Sequence, residues 1–164
     1  MSKSSIYFFG ELLENESYEK KFNSKSGEVI VVRLFTSSSI IDSYFSKIEI
    51  ILKKLDTAID ATKKLIIDSC QKSGDYEDKM QEYMEYTLID CLGNNVSDFS
   101  SEFHKRFGEI APSDFADRLK LRSIQFSMQH GTVVFDYYYT ELVDEVWAVN
   151  YDFNLNLIDM TCES

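Results

Sequence analysis

The sequence predicts an α+β fold in a single domain over residues 1–164, with N-terminal β-strands, a central segment of three to five helices and a C-terminal four-stranded antiparallel meander. Two changes in the spacing of apolar residues support this class. Apolar residues recur every three or four positions from residue 40, and at every second position after residue 122. No repeat, low-complexity tract or Pro/Gly/Ser-rich linker interrupts the chain, which favours one cooperative unit.

Three strands are predicted ahead of the helices. Residues 6–9 are apolar and aromatic, residues 17–23 are polar, and residues 29–35 are rich in the β-branched side chains that favour strands. Gly27 lies between the last two stretches and is expected at their turn. We expect these strands to extend or face the C-terminal sheet.

The central segment predicts helices with apolar stripes. Serines 37–39 are the expected N-caps of the first helix, and Gly74 is expected to close the second. Ser113 is the expected cap of a last short helix that buries Phe115 and Leu119. The helices are expected at residues 40–55, 56–72, 76–92 and 99–107, and in one or two turns after Ser113.

Four strands are predicted after Arg122, where apolar and polar residues alternate. Gly131 and the asparagines at 154 and 156 mark turns between them. Consecutive strands joined by such short turns pair in antiparallel fashion. The strands are expected at residues 124–128, 133–139, 146–153 and 157–162.

The formal charge is distributed unevenly along the chain. Residues 1–72 carry eleven basic and ten acidic side chains, residues 73–122 carry six and eleven, and residues 123–164 carry none and seven. Such a surface repels phosphates and attracts cations, so we expect a basic protein partner and neither nucleic-acid nor membrane binding. Acidity that serves only solubility is the alternative. Three widely spaced cysteines and an N-terminus without a long apolar run favour a cytoplasmic protein.

No recognisable catalytic or metal-binding motif is present in the sequence. His104 and His130 lie 26 residues apart, and the three cysteines form no C-x-x-C pair. The sequence also lacks a G-x-S-x-G elbow, a Walker motif and a G-x-G-x-x-G loop. We therefore predict that the protein is not an enzyme and needs no cofactor or metal. A small hydrolase or ligand-binding protein that uses Asp136, His130 and Glu163 is the alternative.

One face of the meander is the predicted binding surface. If Phe135, Tyr137 and Trp147 point into the core, strand alternation places their sequence neighbours on the opposite face. Tyrosine among carboxylates without basic neighbours is typical of interfaces. A face covered by the helices is the alternative. The predicted partner-binding residues are Asp136, Tyr138, Asp144, Glu145, Asp159 and Glu163.

Four stretches of the chain carry a resemblance to a known family. They are Y-F-F-G-E-L at residues 7–12, G-T-V-V-F-D-Y at 131–137, V-W-A-V-N-Y-D at 146–152 and I-D-M-T-C-E-S at 158–164. In these motifs the chain resembles the bacterial domain-of-unknown-function family DUF2004, although the helical middle matches only in type. Cys162 and Asn156 depart from the pattern, which has a small or apolar residue and a turn glycine there. The resemblance implies a bacterial cytosolic α+β protein and supplies no catalytic residues.

A non-enzymatic protein-binding domain is the predicted function. Its most concrete form, by analogy with other small acidic α+β proteins, is a bacterial immunity protein whose acidic face covers the basic cleft of a toxin such as a nuclease. A housekeeping protein-interaction domain with an unknown partner is the alternative.

Overall fold

Eight strands and four helices occur in the part of the chain that the computed structural model describes, which comprises residues 5–38, 42–92, 105, 110–140 and 143–163. None of these helices is long and apolar enough to cross a membrane. The strands are β1 (Ser5–Ile6), β2 (Gly10–Glu11), β3 (Ser17–Asn23), β4 (Val29–Phe35), β5 (Lys120–Ser127), β6 (Thr132–Tyr138), β7 (Val146–Asp152) and β8 (Leu157–Glu163). The helices are α1 (Asp42–Lys53), α2 (Leu55–Ser69), α3 (Glu77–Leu92) and α4 (Pro112–Arg118).

One six-stranded sheet contains every strand from β3 to β8, in the order β3-β4-β5-β6-β7-β8. β1 and β2 pair separately as a two-stranded antiparallel sheet. The α+β class and the C-terminal meander are confirmed, because β5 to β8 follow one another both in sequence and across the sheet. Except for residue 105, the predicted fourth helix at residues 99–107 lies outside the described residues, as does His104.

The N-terminal strands differ in part from the prediction. β3 and β4 have the predicted bounds, and Gly27 adopts a φ of 85° at their turn. The strand predicted at residues 6–9 is wrong, because β1 ends at Ile6 and the chain turns at once. The amide of Phe9 donates a hydrogen bond to the carbonyl oxygen of Ile6 at 3.0 Å, which closes that turn.

A parallel pairing of β4 with β5 joins the N-terminal hairpin to the meander. Val32 lies opposite Ile124, and Leu34 lies opposite Phe126. All four side chains are buried, so the two strands present one continuous apolar face. The N-terminal strands therefore extend the C-terminal sheet, which is one of the two arrangements expected.

Two compact units make up the chain. Both units include residues of the six-stranded sheet, so this division does not decide how many domains the chain forms. The single domain stays a prediction. The first unit comprises Met1–Asp60, Leu121–Asp136 and Val149–Asp159, and the second comprises Ala61–Lys120, Tyr137–Ala148 and Met160–Ser164.

In the first unit, a turn rich in asparagine follows β7, as predicted. Oδ1 of Asp152 accepts hydrogen bonds from the backbone amides of Asn154 and Asn156, at 2.8 and 2.9 Å. The side-chain amide of Asn156 donates to the other carboxylate oxygen of Asp152 at 2.9 Å. These hydrogen bonds, first those from Asn156, lower the pKa of Asp152. Leu155, in the four-residue connection between β7 and β8, takes the left-handed conformation, with a φ of 61°.

In the second unit, α4 begins without a side-chain cap. Ala111 occupies the N-cap position and Pro112 begins the helix, so the prediction of Ser113 as the cap is wrong. A proline is favoured at this first position because its missing amide would have no partner there. The burial of Phe115 and Leu119 is confirmed. At the other end of α4, the Lys63 ammonium donates to the carbonyl oxygens of Ala116 and Leu119, at 2.8 and 2.5 Å.

The connection between α2 and α3 depends on two neighbouring residues. Ser73 adopts the left-handed conformation, with a φ of 64°. A Cβ atom on Gly74 would lie 2.9 Å from the carbonyl oxygen of Gln71, which is too close for any side chain. Gly74 therefore allows a close backbone approach, and it is Ser73 that carries the positive φ.

The variant Ser73→Gly is expected to raise the free energy of unfolding by about 0.5–1 kcal/mol. The left-handed conformation costs a residue with a Cβ atom about 1–2 kcal/mol, and glycine avoids this cost. Glycine also has more conformational freedom in the unfolded chain, which offsets part of the stabilisation. Ser73 is exposed, so no buried contact is lost. Urea denaturation measures the change. Ser73→Ala is the matched control, because it removes the hydroxyl and keeps the Cβ atom. An equal gain in both variants would contradict the argument.

Candidate functional site

The buried face of α3 fixes the position of this helix in the second unit. Met80, Tyr83 and Met84 are buried, as the predicted stripe requires. The Tyr83 ring centroid lies 5.9 Å from that of Trp147 and 6.2 Å from that of Phe115. The Tyr83 hydroxyl donates a hydrogen bond to the carbonyl oxygen of Glu145 at 3.1 Å. Burial raises the pKa of Tyr83, so this hydroxyl keeps its proton as a donor.

The side of α3 next to this buried face borders a cavity of about 500 Å³ within the second unit. This volume is within the range of small-ligand sites. Helix α3, the residue before β7 and the end of β8 all contribute to its wall. We call it the acidic cavity, and it is lined by Lys79, Glu82, Tyr86, Glu145, Thr161, Cys162 and Glu163.

The carboxylates of the acidic cavity are only partly compensated. Glu82 accepts a hydrogen bond from the Tyr86 hydroxyl at 3.2 Å, and Glu163 accepts one from the Thr161 hydroxyl at 2.8 Å. Neither carboxylate has a Lys, Arg or His nitrogen within 4.0 Å among the described residues. The Lys79 ammonium instead donates to the carbonyl oxygen of Met160 at 3.4 Å. The cavity therefore combines hydrogen-bonded carboxylates with a net negative charge.

Tyr86 places an aromatic ring on the wall of the acidic cavity. Its side chain is 41% exposed, which is unusual for a ring of this size. The hydrogen bond to Glu82, followed by the negative charge of that carboxylate, raises the pKa of Tyr86. The hydroxyl therefore stays protonated and holds the ring beside the carboxylate. An aromatic face next to carboxylates suits the binding of an ammonium or guanidinium group.

Asp136 is buried, and the expectation that it is exposed on the binding face is wrong. It is 6% exposed and lies in the first unit. Its Oδ2 atom accepts hydrogen bonds from the Ser123 hydroxyl at 2.7 Å and from the Gln125 side-chain amide at 2.5 Å. The carboxylate is therefore a buried polar group with its own internal donors rather than a surface contact.

The other five predicted residues occupy different environments. Glu145 and Glu163 both line the acidic cavity. Tyr138 and Asp144 belong to the same unit, where Tyr138 is half-buried and Asp144 is exposed, and neither lines that cavity. Asp159 is half-buried in the first unit. The structure thus brings together two of the six residues, and it adds residues that the prediction omitted.

Lys79, Glu82 and Tyr86 are the cavity residues that sequence reasoning missed. They are spaced three and four positions apart on α3, so they share one face of the helix. A charged helix face is ordinarily interpreted as solvent-exposed surface, so this spacing alone does not predict a binding site. The signal that was available is an aromatic residue, Tyr86, on the same side of the helix as Lys79 and Glu82 and next to the apolar stripe.

Histidine and cysteine residues do not form a metal site in the residues described here. His130 is exposed in the turn before β6 and lines neither the acidic cavity nor the smaller apolar cavity of the first unit. No group of three His, Cys, Asp or Glu side chains within the described ranges is placed to hold a metal ion. Cys70 is buried, and burial raises the pKa of its thiol to about 12. Cys162, by contrast, is half-buried on the wall of the acidic cavity.

Comparison with protein-family models, with curated proteins and with solved structures found no match to this chain. The resemblance to the family DUF2004 accordingly stays a prediction.

The variant Asp136→Ala is expected to lower the free energy of unfolding by about 2–3 kcal/mol, because the buried Ser123 hydroxyl and the Gln125 amide lose their acceptor. Glu163→Ala is the control from the same predicted set, and its exposed carboxylate should cost no more than about 0.5 kcal/mol. Chemical denaturation of the two variants gives both values. Equal losses would contradict the different environments found for the two carboxylates.

Iodoacetamide at pH 8 is expected to modify Cys162 in the folded protein well before Cys70. A thiol with a pKa of about 12 is thiolate in roughly one molecule in ten thousand at that pH, and the thiolate is the reactive form. Mass spectrometry of proteolytic peptides measures the two rates. In a denaturant the rates should become similar, which serves as the control. Equal rates in the folded protein would show that Cys70 is not buried as described.

Proposed function

We propose that the protein is a non-enzymatic binding domain that holds a basic protein partner at the acidic cavity. One observation carries the proposal: Glu82 and Glu163 line the same cavity beside an exposed tyrosine ring, and no Lys, Arg or His nitrogen of the described residues lies within 4.0 Å of either carboxylate. The cavity therefore offers negative charge and an aromatic face to a cationic side chain. Arginine and lysine of a partner protein are the groups that such a site attracts.

The charge of the surrounding chain supports the same interpretation. Residues 123–164 contain seven acidic residues and no Lys or Arg. A negative field of this kind accelerates the approach of a basic partner more than it slows its departure. Added salt should weaken that effect, since screening at physiological ionic strength acts over about 8 Å.

An immunity protein that covers the basic cleft of a toxin, for example a nuclease, is the most concrete form of this proposal. It rests on the acidic cavity and, by analogy, on the resemblance to a bacterial cytosolic family. A housekeeping interaction domain would use the same cavity with another basic partner. The hydrolase alternative has less support, because His130 is exposed in a turn while Asp136 is buried with its own hydrogen-bond donors.

The double variant Glu82→Gln/Glu163→Gln is expected to weaken the binding of a basic peptide by about tenfold, which corresponds to about 1.4 kcal/mol. Glutamine keeps the shape and one hydrogen-bond-accepting oxygen of each side chain, and it replaces the charged carboxylate by a neutral amide. The probe is a fluorescein-labelled heptapeptide in which Arg or Lys alternates with Val. Fluorescence anisotropy at low and at physiological salt gives the affinity.

The matched control is Asp114→Asn/Asp117→Asn, which changes the net charge by the same amount at exposed positions outside the cavity wall. Binding by this control should stay within about twofold of the wild type. Bound peptide should also protect Cys162 from iodoacetamide, because this thiol lines the cavity. Equal weakening in the two double variants would show that net charge, rather than the acidic cavity, attracts the peptide.

A further inference from the structure

Strand β8 is an outer strand of the six-stranded sheet. It follows β7 as the last strand in the order, so among the described strands it has a neighbour on one side only. Alternate residues of such a strand direct their backbone amide and carbonyl groups toward the open side. An open edge of this kind can accept another strand, which pairs with it at about 4.8 Å.

The last four residues of β8, Met160 to Glu163, lie in the second unit together with the acidic cavity. Thr161, Cys162 and Glu163 are part of the cavity wall. The backbone of this stretch already contacts a cation, because the Lys79 ammonium donates to the carbonyl oxygen of Met160. The end of β8 therefore presents a strand backbone and cation-binding carboxylates at the same place.

We propose that the basic partner binds as an extended segment that adds a strand along the outer edge of β8 at Met160 to Glu163. One arginine or lysine of the added strand enters the acidic cavity. The side chains of a strand alternate between its two faces, so every second residue of the segment is directed toward the cavity side. This inference rests on the proposed function and specifies how the partner is recognised. The backbone supplies the strand pairing, and Glu82, Glu145 and Glu163 select for positive charge.

A partner of opposite charge fits this edge better than a second copy of β8 does. β8 carries Asp159 and Glu163 and no basic residue, so a second β8 would bring further carboxylates to the edge. Like charges on adjacent strands are unfavourable. The strand at the other edge of the sheet, β3, differs because it includes both Lys20 and Lys21. The acidity of β8 thus disfavours pairing with itself and favours a basic strand.

Backbone N-methylation of the basic heptapeptide tests the proposal directly. A methyl group on an amide nitrogen removes the hydrogen-bond donor and leaves the charge and the side chain unchanged. Two peptides are made, each methylated at alternate residues, so that each one blocks a different edge of the peptide strand. A strand that adds to β8 pairs through one edge only, so one methylated peptide should bind at least about tenfold more weakly and the other within about twofold of the parent.

The outcomes separate this inference from the proposed function. If the parent peptide binds more tightly than a peptide with Glu in place of Arg and Lys, and both methylated peptides bind like the parent, the partner is held by charge alone and strand addition is wrong. If the parent binds no better than its acidic counterpart, the proposed function fails and the inference fails with it.

Hydrogen exchange locates the added strand on the protein. The parent peptide should slow exchange of backbone amides at the end of β8, while the more weakly bound methylated peptide should not do so at the same concentration. Protection confined to β3 would place the peptide at the other edge and overturn the proposal. The same protection of β8 without peptide, accompanied by dimers in sedimentation, would identify a second copy of the chain as the occupant and would also overturn it.

Discussion

The hydrogen bond from the Tyr83 hydroxyl to the carbonyl oxygen of Glu145 is the contact on which the acidic cavity depends. It joins α3 to the residue just before β7, and the Tyr83 ring packs against Trp147 on that strand. Aromatic side chains of this size dominate the packing of a core. Because Tyr83 fixes the rotation of α3 about its axis, it also fixes the neighbouring side of the helix, where Glu82 and Tyr86 meet the cavity. Stability and the candidate site are thus two consequences of one anchored helix.

Two carboxylates of the acidic cavity, those of Glu82 and Glu163, accept their hydrogen bonds from neutral groups. Hydrogen bonds from Tyr86 and Thr161 stabilise Glu82 and Glu163, but each donor is a neutral hydroxyl and contributes less than a salt bridge in a dry site would. The one ion pair within 4.0 Å that we describe, between Arg33 and Glu19, lies in the first unit. A bound cation would add charged contacts to the neutral hydrogen bonds that these two carboxylates already accept.

The strands of this fold were predictable from sequence because their signal is local. A run of β-branched residues predicted β4, and the alternation of apolar and polar residues predicted β5 to β8. Both signals come from residues that are neighbours in sequence. The inward and outward assignment failed at Asp136. The rule of alternation assumes that one face of the sheet is in water, and in β7 three consecutive residues, Trp147, Ala148 and Val149, are all buried. Where both faces are covered, period two no longer identifies exposed residues.

The candidate site was only half predictable for a different reason. Glu145 and Glu163 belong to the acidic C-terminal third, whose charge is visible in composition. Lys79, Glu82 and Tyr86 come from a helix far away in sequence, and their meeting with β8 depends on how Tyr83 packs. No local pattern contains that information. Gly74 was recognised as a helix terminator, yet its need for close backbone approach is likewise a tertiary property.

The described side chains of the cavity wall include carboxylates and an aromatic ring, the kinds of group that hold a cation. The thiol of the described wall, Cys162, shares this wall with three glutamates and with Lys79. The described wall contains no histidine, and its single ammonium, on Lys79, is directed to a backbone carbonyl and lies 5.2 Å from the Tyr76 ring centroid. The same carboxylates and the Tyr86 ring are well suited to hold a cation, so the proposed partner supplies the charge that this site lacks.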